Sequence, residues 1–337
     1  MSDIGERAAM EDNRSRQYHF MQAILKLLLL FSLISVVGMT FIYYETSNLF
    51  IHRKNEKPIE KLSDIKGFDY EEVTFKSREG NVTLKGIFFS TNPSSNKTVI
   101  AIHGFDEDRL MDGRTKMLVK YLIPRGYNVL AFDLRGHGQS EGDLISFGYY
   151  EKYDVLGAID YLKQRGKEGE KIALLGFSMG AITAIEAAGE DERVNALIAD
   201  SPIRDLKLFI AQDINNISNN LDTVLTNYGG PAYCSIIRYF PFKSYAIIRI
   251  AELYDLNISQ VSPMSTVKNI AKKPIFLIHS KNDKFISYTN SEAIYQSLQN
   301  HSHASIWFTE KAEHIGSLKM YPEEYLGKIG AFLNDNM

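Results

Sequence analysis

Lys171 to Gly189 reads KIALLGFSMGAITAIEAAG, an apolar run, a tight glycine-flanked turn around a serine, then a stretch of small and apolar residues. The run is short and lacks polar alternation, as in a strand covered on both faces. The residues after it favour a helix. Gly176 and Gly180 stand two positions either side of Ser178, where side chains would collide in a sharp strand-to-helix turn. Such a turn presents a serine hydroxyl at the carboxyl edge of a sheet, so Ser178 is a candidate nucleophile; the bland alternative is an ordinary tight turn.

A serine hydroxyl is a weak nucleophile at neutral pH and needs a base and an orienting acid. Lys273 to Ser280 (KPIFLIHS) is a strand pattern that runs into Lys281, Asn282 and Asp283, so Asp283 falls in the loop at a strand's carboxyl end. Ala304 to Thr309 (ASIWFT) is a second strand, followed by EKAEH, which ends on His314. The chain has eight histidines, and position sorts them. His301 and His303 precede their strand, His19 and His52 precede the domain, and His103, His137 and His279 lie upstream of Asp283. His314 alone follows the acid at the right edge. Asp200, at the end of the preceding strand, is the alternative acid.

Acyl chemistry on such a serine also needs donors aimed at a developing oxyanion. The strand Thr98 to Ile102 ends in His103, Gly104 and Phe105. The backbone N–H of Met179, after the serine, is one expected donor and that of Phe105 the other, with Asp106 as the alternative in a longer loop. The His103-Gly104 pair is expected to shape the loop.

The stretches IAIHGF (100–105), FDLRGHGQSEG (132–142), LLGFSMG (174–180), IADSP (198–202), Ser262-Pro263 and PIFLIHSKND (274–283) resemble the α/β-hydrolase superfamily, more narrowly its membrane-anchored Bem46-like or S33 serine-aminopeptidase-like branch. The resemblance spans residues 68–334. It implies an α/β fold: a mostly parallel eight-stranded sheet with helices on both faces and a helical cap insertion. It implies a Ser178, Asp283, His314 triad with an oxyanion hole at Phe105 and Met179, and hydrolysis of an ester, thioester or amide; a catalytically silent scaffold used for binding is the alternative. In the same resemblance Asp133, Arg135 and Gly136 hold the loop after the fourth strand and take no part in the chemistry.

The other segments agree. Phe68 to Phe89 reads as two alternating strands around the turn residues Glu79, Gly80 and Asn81. Met117 to Leu122 and Tyr153 to Leu162 carry helical spacing, and each leads to a further strand, Tyr127 to Asp133 and Lys171 to Leu175. Alternating strands and helices predict a parallel sheet covered on both faces. Between Ile203 and Ser262 lies an insertion of about sixty residues, helical and rich in aromatics: Phe209, Tyr228, Tyr233, Tyr239, Phe240, Phe242, Tyr245 and Tyr254. It reads as a lid over the site, or as an excursion packed elsewhere on the domain.

Leu27 to Tyr44 (LLLLFSLISVVGMTFIYY) is an uncharged run of eighteen residues, about 27 Å as a helix, near the roughly 30 Å hydrocarbon thickness of a bilayer. Lys26 and the pair Tyr43-Tyr44 flank it as interfacial residues do. The expected organisation is an N-terminal tail (1–26), a single-pass anchor (27–44), a linker (45–67) and a catalytic domain (68–334) with its cap at about 203–262. A cleaved signal peptide and a buried helix are the alternatives. Arg7, Arg14, Arg16 and Lys26 before the run balance Arg53, Lys54, Lys57 and Lys61 after it. Behaviour as a signal anchor favours the catalytic domain on the non-cytoplasmic side.

Net charge is −3 with both signs interspersed, so no nucleic-acid surface is indicated. The single Cys234 forms no intramolecular disulfide, no His and Cys cluster has metal-ligand spacing, and no GxGxxG follows a strand. The expectation is therefore no cofactor and no metal, with an acyl-ester or lipid-like substrate and the membrane as partners.

Overall fold

The computed structural model describes residues 2–51, 65, 67–91, 94–165, 169–213, 255–270, 272–298 and 303–337. They form two compact units, residues 1–48 and 49–337.

The larger unit is built on one eight-stranded sheet in the order β1-β2-β4-β3-β5-β6-β7-β8. Its strands are β1 (Tyr70–Lys76), β2 (Thr83–Phe89), β3 (Lys97–Ile102), β4 (Asn128–Phe132), β5 (Lys171–Phe177), β6 (Val194–Asp200), β7 (Ile275–Ser280) and β8 (Ala304–Thr309). β1 and β2 form the antiparallel hairpin expected around Gly80, and β2 pairs antiparallel with β4. Every other pairing is parallel. The carboxyl ends of β3 to β8 therefore share one edge, where open α/β sheets place their sites.

Period-two alternation divides each central strand between two cores. Ile172 and Leu174 of β5 face a cluster with Leu156, Ala184, Ile185, Val267 and Ile294, drawn from helices α3 (Glu151–Gln164), α4 (Met179–Glu190), α5 (Pro263–Asn269) and α6 (Thr289–Ser297). Ala173, Leu175 and Phe177 face the opposite cluster with Leu118, Leu122, Tyr325, Ile329 and Leu333, from α2 (Arg114–Leu122) and α7 (Pro322–Asn336). Both faces of the sheet are covered, which is why β5 tolerates an unbroken apolar run. The last helix continues two residues past the expected boundary at 334.

The described ends of the insertion meet each other. Leu206 N–H donates to the Val261 carbonyl at 3.0 Å and Met264 N–H to that of Arg204 at 3.0 Å. Ile203, Leu206, Ile210, Leu256, Ile258 and Val261 pack in a small separate cluster with Ile182 of α4 and Ile286 of the loop after β7. The insertion thus rises from the carboxyl edge of the sheet. Tyr228, Tyr233, Cys234, Tyr239, Phe240, Phe242, Tyr245 and Tyr254 lie outside the described residues.

The N-terminal unit is one helix, Ser2–Ile51, which extends past the apolar run on both sides. Within it the stretch Asn13–Gly38 holds an eighteen-residue window of mean hydropathy 2.2, long and apolar enough to cross a membrane, and it overlaps the expected run of 27–44. Its leucines and phenylalanines stand exposed, unlike those of a core helix in a water-soluble protein. Ser32, Ser35 and Thr40 donate to the carbonyls of Leu29, Phe31 and Val36 at 2.8 Å. The hydroxyls of this stretch are therefore satisfied within the helix, as apolar surroundings require.

Candidate active site

Ser178 sits between β5 and α4 with φ 53° and ψ −117°, a conformation that costs a non-glycine residue on the order of 1–3 kcal/mol. Several contacts hold it there. Ser178 N–H donates to the Asp200 carbonyl of β6 at 2.8 Å, while its own carbonyl accepts from Ala181 and Ile182 at 2.9 and 3.2 Å. A Cβ on Gly176 would run into the Gly180 carbonyl, and one on Gly180 into the carbonyls of Ile102 and His103 at the end of β3. Glycine is required at both positions by the backbone passing next to it. The turn puts Met179 at the first position of α4, where backbone N–H groups have no partner inside the helix and the helix dipole is positive.

Asp283 and His314 arrive from the loops after β7 and β8. His314 Nε2 is 2.8 Å from Ser178 Oγ, and His314 Nδ1 is 2.7 Å from Asp283 Oδ2. The three residues drawn from distant parts of the sequence thus form one continuous hydrogen-bonded line. With Asp283 accepting, Nδ1 carries the ring hydrogen, which leaves Nε2 able to accept the serine proton. The other carboxylate oxygen, Oδ1, accepts from the N–H groups of Phe285 and Ile286 at 2.8 and 2.9 Å. Burial works against an ionised Asp283, but hydrogen bonds from His279 and His314 outweigh it and hold the carboxyl well below the usual carboxylate range.

Asp200, the alternative acid, lies elsewhere. Its carboxylate accepts from the Ser201 hydroxyl at 2.9 Å and from the Tyr325 hydroxyl at 3.0 Å, and complete burial pushes its carboxyl up. The two aspartates at neighbouring strand ends are thus driven in opposite directions, and the one held low faces the histidine.

The loop after β3 passes close to the serine: a Cβ on Gly104 would stand 3.4 Å from Ser178 Cβ. His103 shapes this loop as expected. Leu134 N–H donates to its Nε2 at 3.0 Å, so Nδ1 bears the hydrogen and donates to the Gly104 carbonyl at 2.7 Å. Phe105 stacks on Phe147 with ring centroids 5.3 Å apart, and Phe285 lies 5.1 Å from the His314 ring. An aromatic side chain therefore stands against the histidine, and Phe105 lies on the loop that passes the serine.

The loop after β4 carries a buried ionic frame. Arg135 makes a forked contact with Asp154 at 2.7–3.1 Å. Asp133 accepts from the Arg109 guanidinium and from the N–H groups of Arg109 and Gln139. Gly136 has φ 69°, and a Cβ on Gly138 would overlap the Asp133 carboxylate.

Three polar residues at the site escape sequence reasoning. Arg114 begins α2 and is buried, its guanidinium 4.9 Å from the Phe177 ring and paired with Glu107. Glu107 Oε2 in turn accepts from Gly104 N–H at 2.9 Å. His279, set aside because it precedes the acid, lies with Nε2 3.3 Å from Asp283 Oδ2. Only the i, i+4 spacing of His279 and Asp283 hinted at this contact. Among the described residues no group of His, Cys, Asp and Glu could hold a metal ion.

Comparison with known proteins agrees with this architecture. Residues 93–229 match the family model described as serine aminopeptidase, S33. The uncharacterized protein YqkD of Bacillus subtilis strain 168 is 27% identical over 330 residues, 92% of this chain and 97% of that one. The uncharacterized protein YfhR of Escherichia coli O157:H7 is 27% identical over 268 residues, 78% of this chain and 76% of its own. The solved structure of the Pyrococcus furiosus esterase Pf2001 aligns with a TM-score of 0.67 at 25% identity, covering 86% of this chain and 98% of that one. With its eight-stranded sheet, its glycine-flanked serine turn and these likenesses, the chain is a hydrolase of the α/β-hydrolase superfamily.

Proposed function

We propose that this chain is a membrane-anchored serine hydrolase that cleaves carboxylic esters or thioesters with an apolar acyl group. The observation that carries the reading is the hydrogen-bonded line from Asp283 through His314 to Ser178, ending on a serine held at positive φ. In this reading Ser178 Oγ attacks the acyl carbon as its proton passes to His314 Nε2, and Asp283 stabilises the imidazolium. The carbonyl electrons move onto oxygen, which the N–H groups of Phe105 and Met179 receive. Collapse breaks the bond to the leaving oxygen or sulfur, which takes the proton from Nε2 and leaves the acyl group on Ser178. Water then attacks the acyl carbon, gives a proton to His314, and the breakdown of that adduct returns it to Ser178 Oγ with release of the carboxylic acid.

The Phe285 ring against His314, with the stacked rings of Phe105 and Phe147 on neighbouring loops, supports an apolar substrate. Likeness to an esterase over nearly that protein's whole length supports ester over amide. The description of the matching family keeps aminoacyl amides as the second reading. The exposed apolar helix supports an anchor across residues 27–44 with the domain of residues 68–334 tethered at a bilayer, where lipid-like esters concentrate. The proposed side is the non-cytoplasmic one, tested by protease access to a carboxyl-terminal tag in sealed vesicles.

The chemistry is tested with a fluorophosphonate probe and p-nitrophenyl esters of graded chain length beside aminoacyl-nitroanilides. Ser178→Ala, with an unchanged circular dichroism spectrum, is expected to abolish labelling and reduce ester turnover at least about a thousandfold. Labelling retained in that variant moves the nucleophile to another residue, and turnover of the anilides alone replaces esterase by aminopeptidase.

A further inference from the structure

We propose that His279 is a positioning residue for Asp283: a second imidazole that fixes the carboxylate's orientation toward His314. The inference rests on the reading of Asp283 and His314 as acid and base.

His279 is completely buried in β7, four residues before Asp283. Its Nε2 lies 2.9 Å from the Ile286 carbonyl and 3.3 Å from Asp283 Oδ2, and its Nδ1 lies 2.7 Å from Ser291 Oγ. A carbonyl oxygen can only accept, so Nε2 bears a hydrogen, shared between Ile286 and Asp283. The Ser291 hydroxyl, at the start of α6, can donate to Nδ1 and lock that tautomer. His279 then acts on Asp283 through the hydrogen on Nε2.

Asp283 is held on every side by this arrangement. Oδ1 takes the N–H groups of Phe285 and Ile286, and Oδ2 takes His314 together with His279. The hydrogen on His279 Nε2 also grips the Ile286 carbonyl, so one imidazole pins both the carboxylate and the turn that carries it to β7. Removing it takes away the hydrogen bond to the Ile286 carbonyl and frees Oδ2 to swing away from His314 Nδ1. The loss falls on the proton-transfer steps and not on substrate binding, because His279 is sealed beneath the site.

The experiment uses the full chain in detergent micelles, measuring p-nitrophenyl ester turnover and the rate of fluorophosphonate labelling, which stays readable in slow variants. His279→Leu is expected to lower kcat and the labelling rate about tenfold with KM within about twofold, as loss of a hydrogen bond to a charged acceptor does. His279→Gln, which keeps a donor and an acceptor, is expected to recover most of that loss. In an Asp283→Asn background His279→Leu is expected to change labelling less than about twofold, since a residue acting through the acid has nothing left to act on. A His279→Leu enzyme within twofold of wild type overturns the proposal. So does an equal loss in both backgrounds, or a glutamine no better than leucine. If His279→Leu does not fold, Ser291→Ala decides: it frees the tautomer and is expected to cost about threefold in kcat, and unchanged kcat overturns the proposal. Full ester turnover by Ser178→Ala would instead defeat the underlying triad reading, an outcome separable from all of these.

Discussion

Glu186 lies two turns along α4 from Ser178, with its carboxyl buried against α5. Thr266 Oγ1 donates to Oε2 at 2.7 Å, while Oε1 meets no donor among the described residues. Burial pushes this carboxyl up to about 7 from an ordinary 4.5, against the Thr266 hydroxyl, the Lys152 ammonium and the Ser262 N–H, which pull it down. A carboxyl that holds its proton more tightly when folded weakens the fold as pH rises: the native chain keeps a proton that the unfolded chain has released. The cost begins near pH 4.5 and is complete above about pH 7. At ~1.4 kcal/mol per tenfold in proton affinity, it reaches roughly 3 kcal/mol at pH 8. Glu186→Gln keeps the shape and the Thr266 hydrogen bond without the charge. It should therefore stabilise the domain by up to ~3 kcal/mol at pH 8, several degrees in Tm, and by less than ~0.5 kcal/mol at pH 4.5. Thermal melts of the full chain in detergent at the two pH values read this directly. A stability gap that does not change with pH, or a glutamine variant weaker than wild type at pH 8, refutes the reasoning.

Asp283→Asn should cut ester turnover by about 10⁴ at neutral pH, because an amide can hold the wrong imidazole tautomer, whereas Asp200→Asn should keep most activity if it folds. A dead Asp200→Asn beside a near-normal Asp283→Asn reverses the assignment. Deleting residues 1–45 should give a water-soluble protein that turns over short esters within about twofold of the full chain, on the reading of the helix as an anchor, and loses activity on bilayer-dispersed lipid. Loss of short-ester activity in a folded truncation contradicts that. Gly180→Ala drives a methyl group into the carbonyls of Ile102 and His103 and should cost about 3 kcal/mol or more in stability, with labelling lost as the Met179 N–H shifts; a normally stable, fully labelled variant is the contrary result.

What was legible in the sequence is what local chemistry writes there. Strands covered on both faces appear as apolar runs, and a loop residue ending such a run is placed without knowing its neighbours. Ser178, Asp283 and His314 are all of this kind. Arg114, Glu107 and His279 are not: each is a polar residue whose surroundings come from other strands and loops, and nothing beside it in sequence distinguishes a buried partner from a solvated one. The Arg114–Glu107–Gly104 chain closes only when α2 folds back over Phe177. The N-terminal helix shows the reverse limit, since hydropathy marks the apolar length and not where the helix, Ser2–Ile51, starts and stops.

The paired bonds Leu206 to Val261 and Arg204 to Met264 make the excursion between β6 and α5 a closed circuit stitched at its own neck. Because these bonds tie the two ends to each other, a longer connection between them adds little closure cost, roughly 0.6 kcal/mol for each doubling of a flexible loop. A change of length in this piece is therefore compatible with one unchanged line of Asp283, His314 and Ser178.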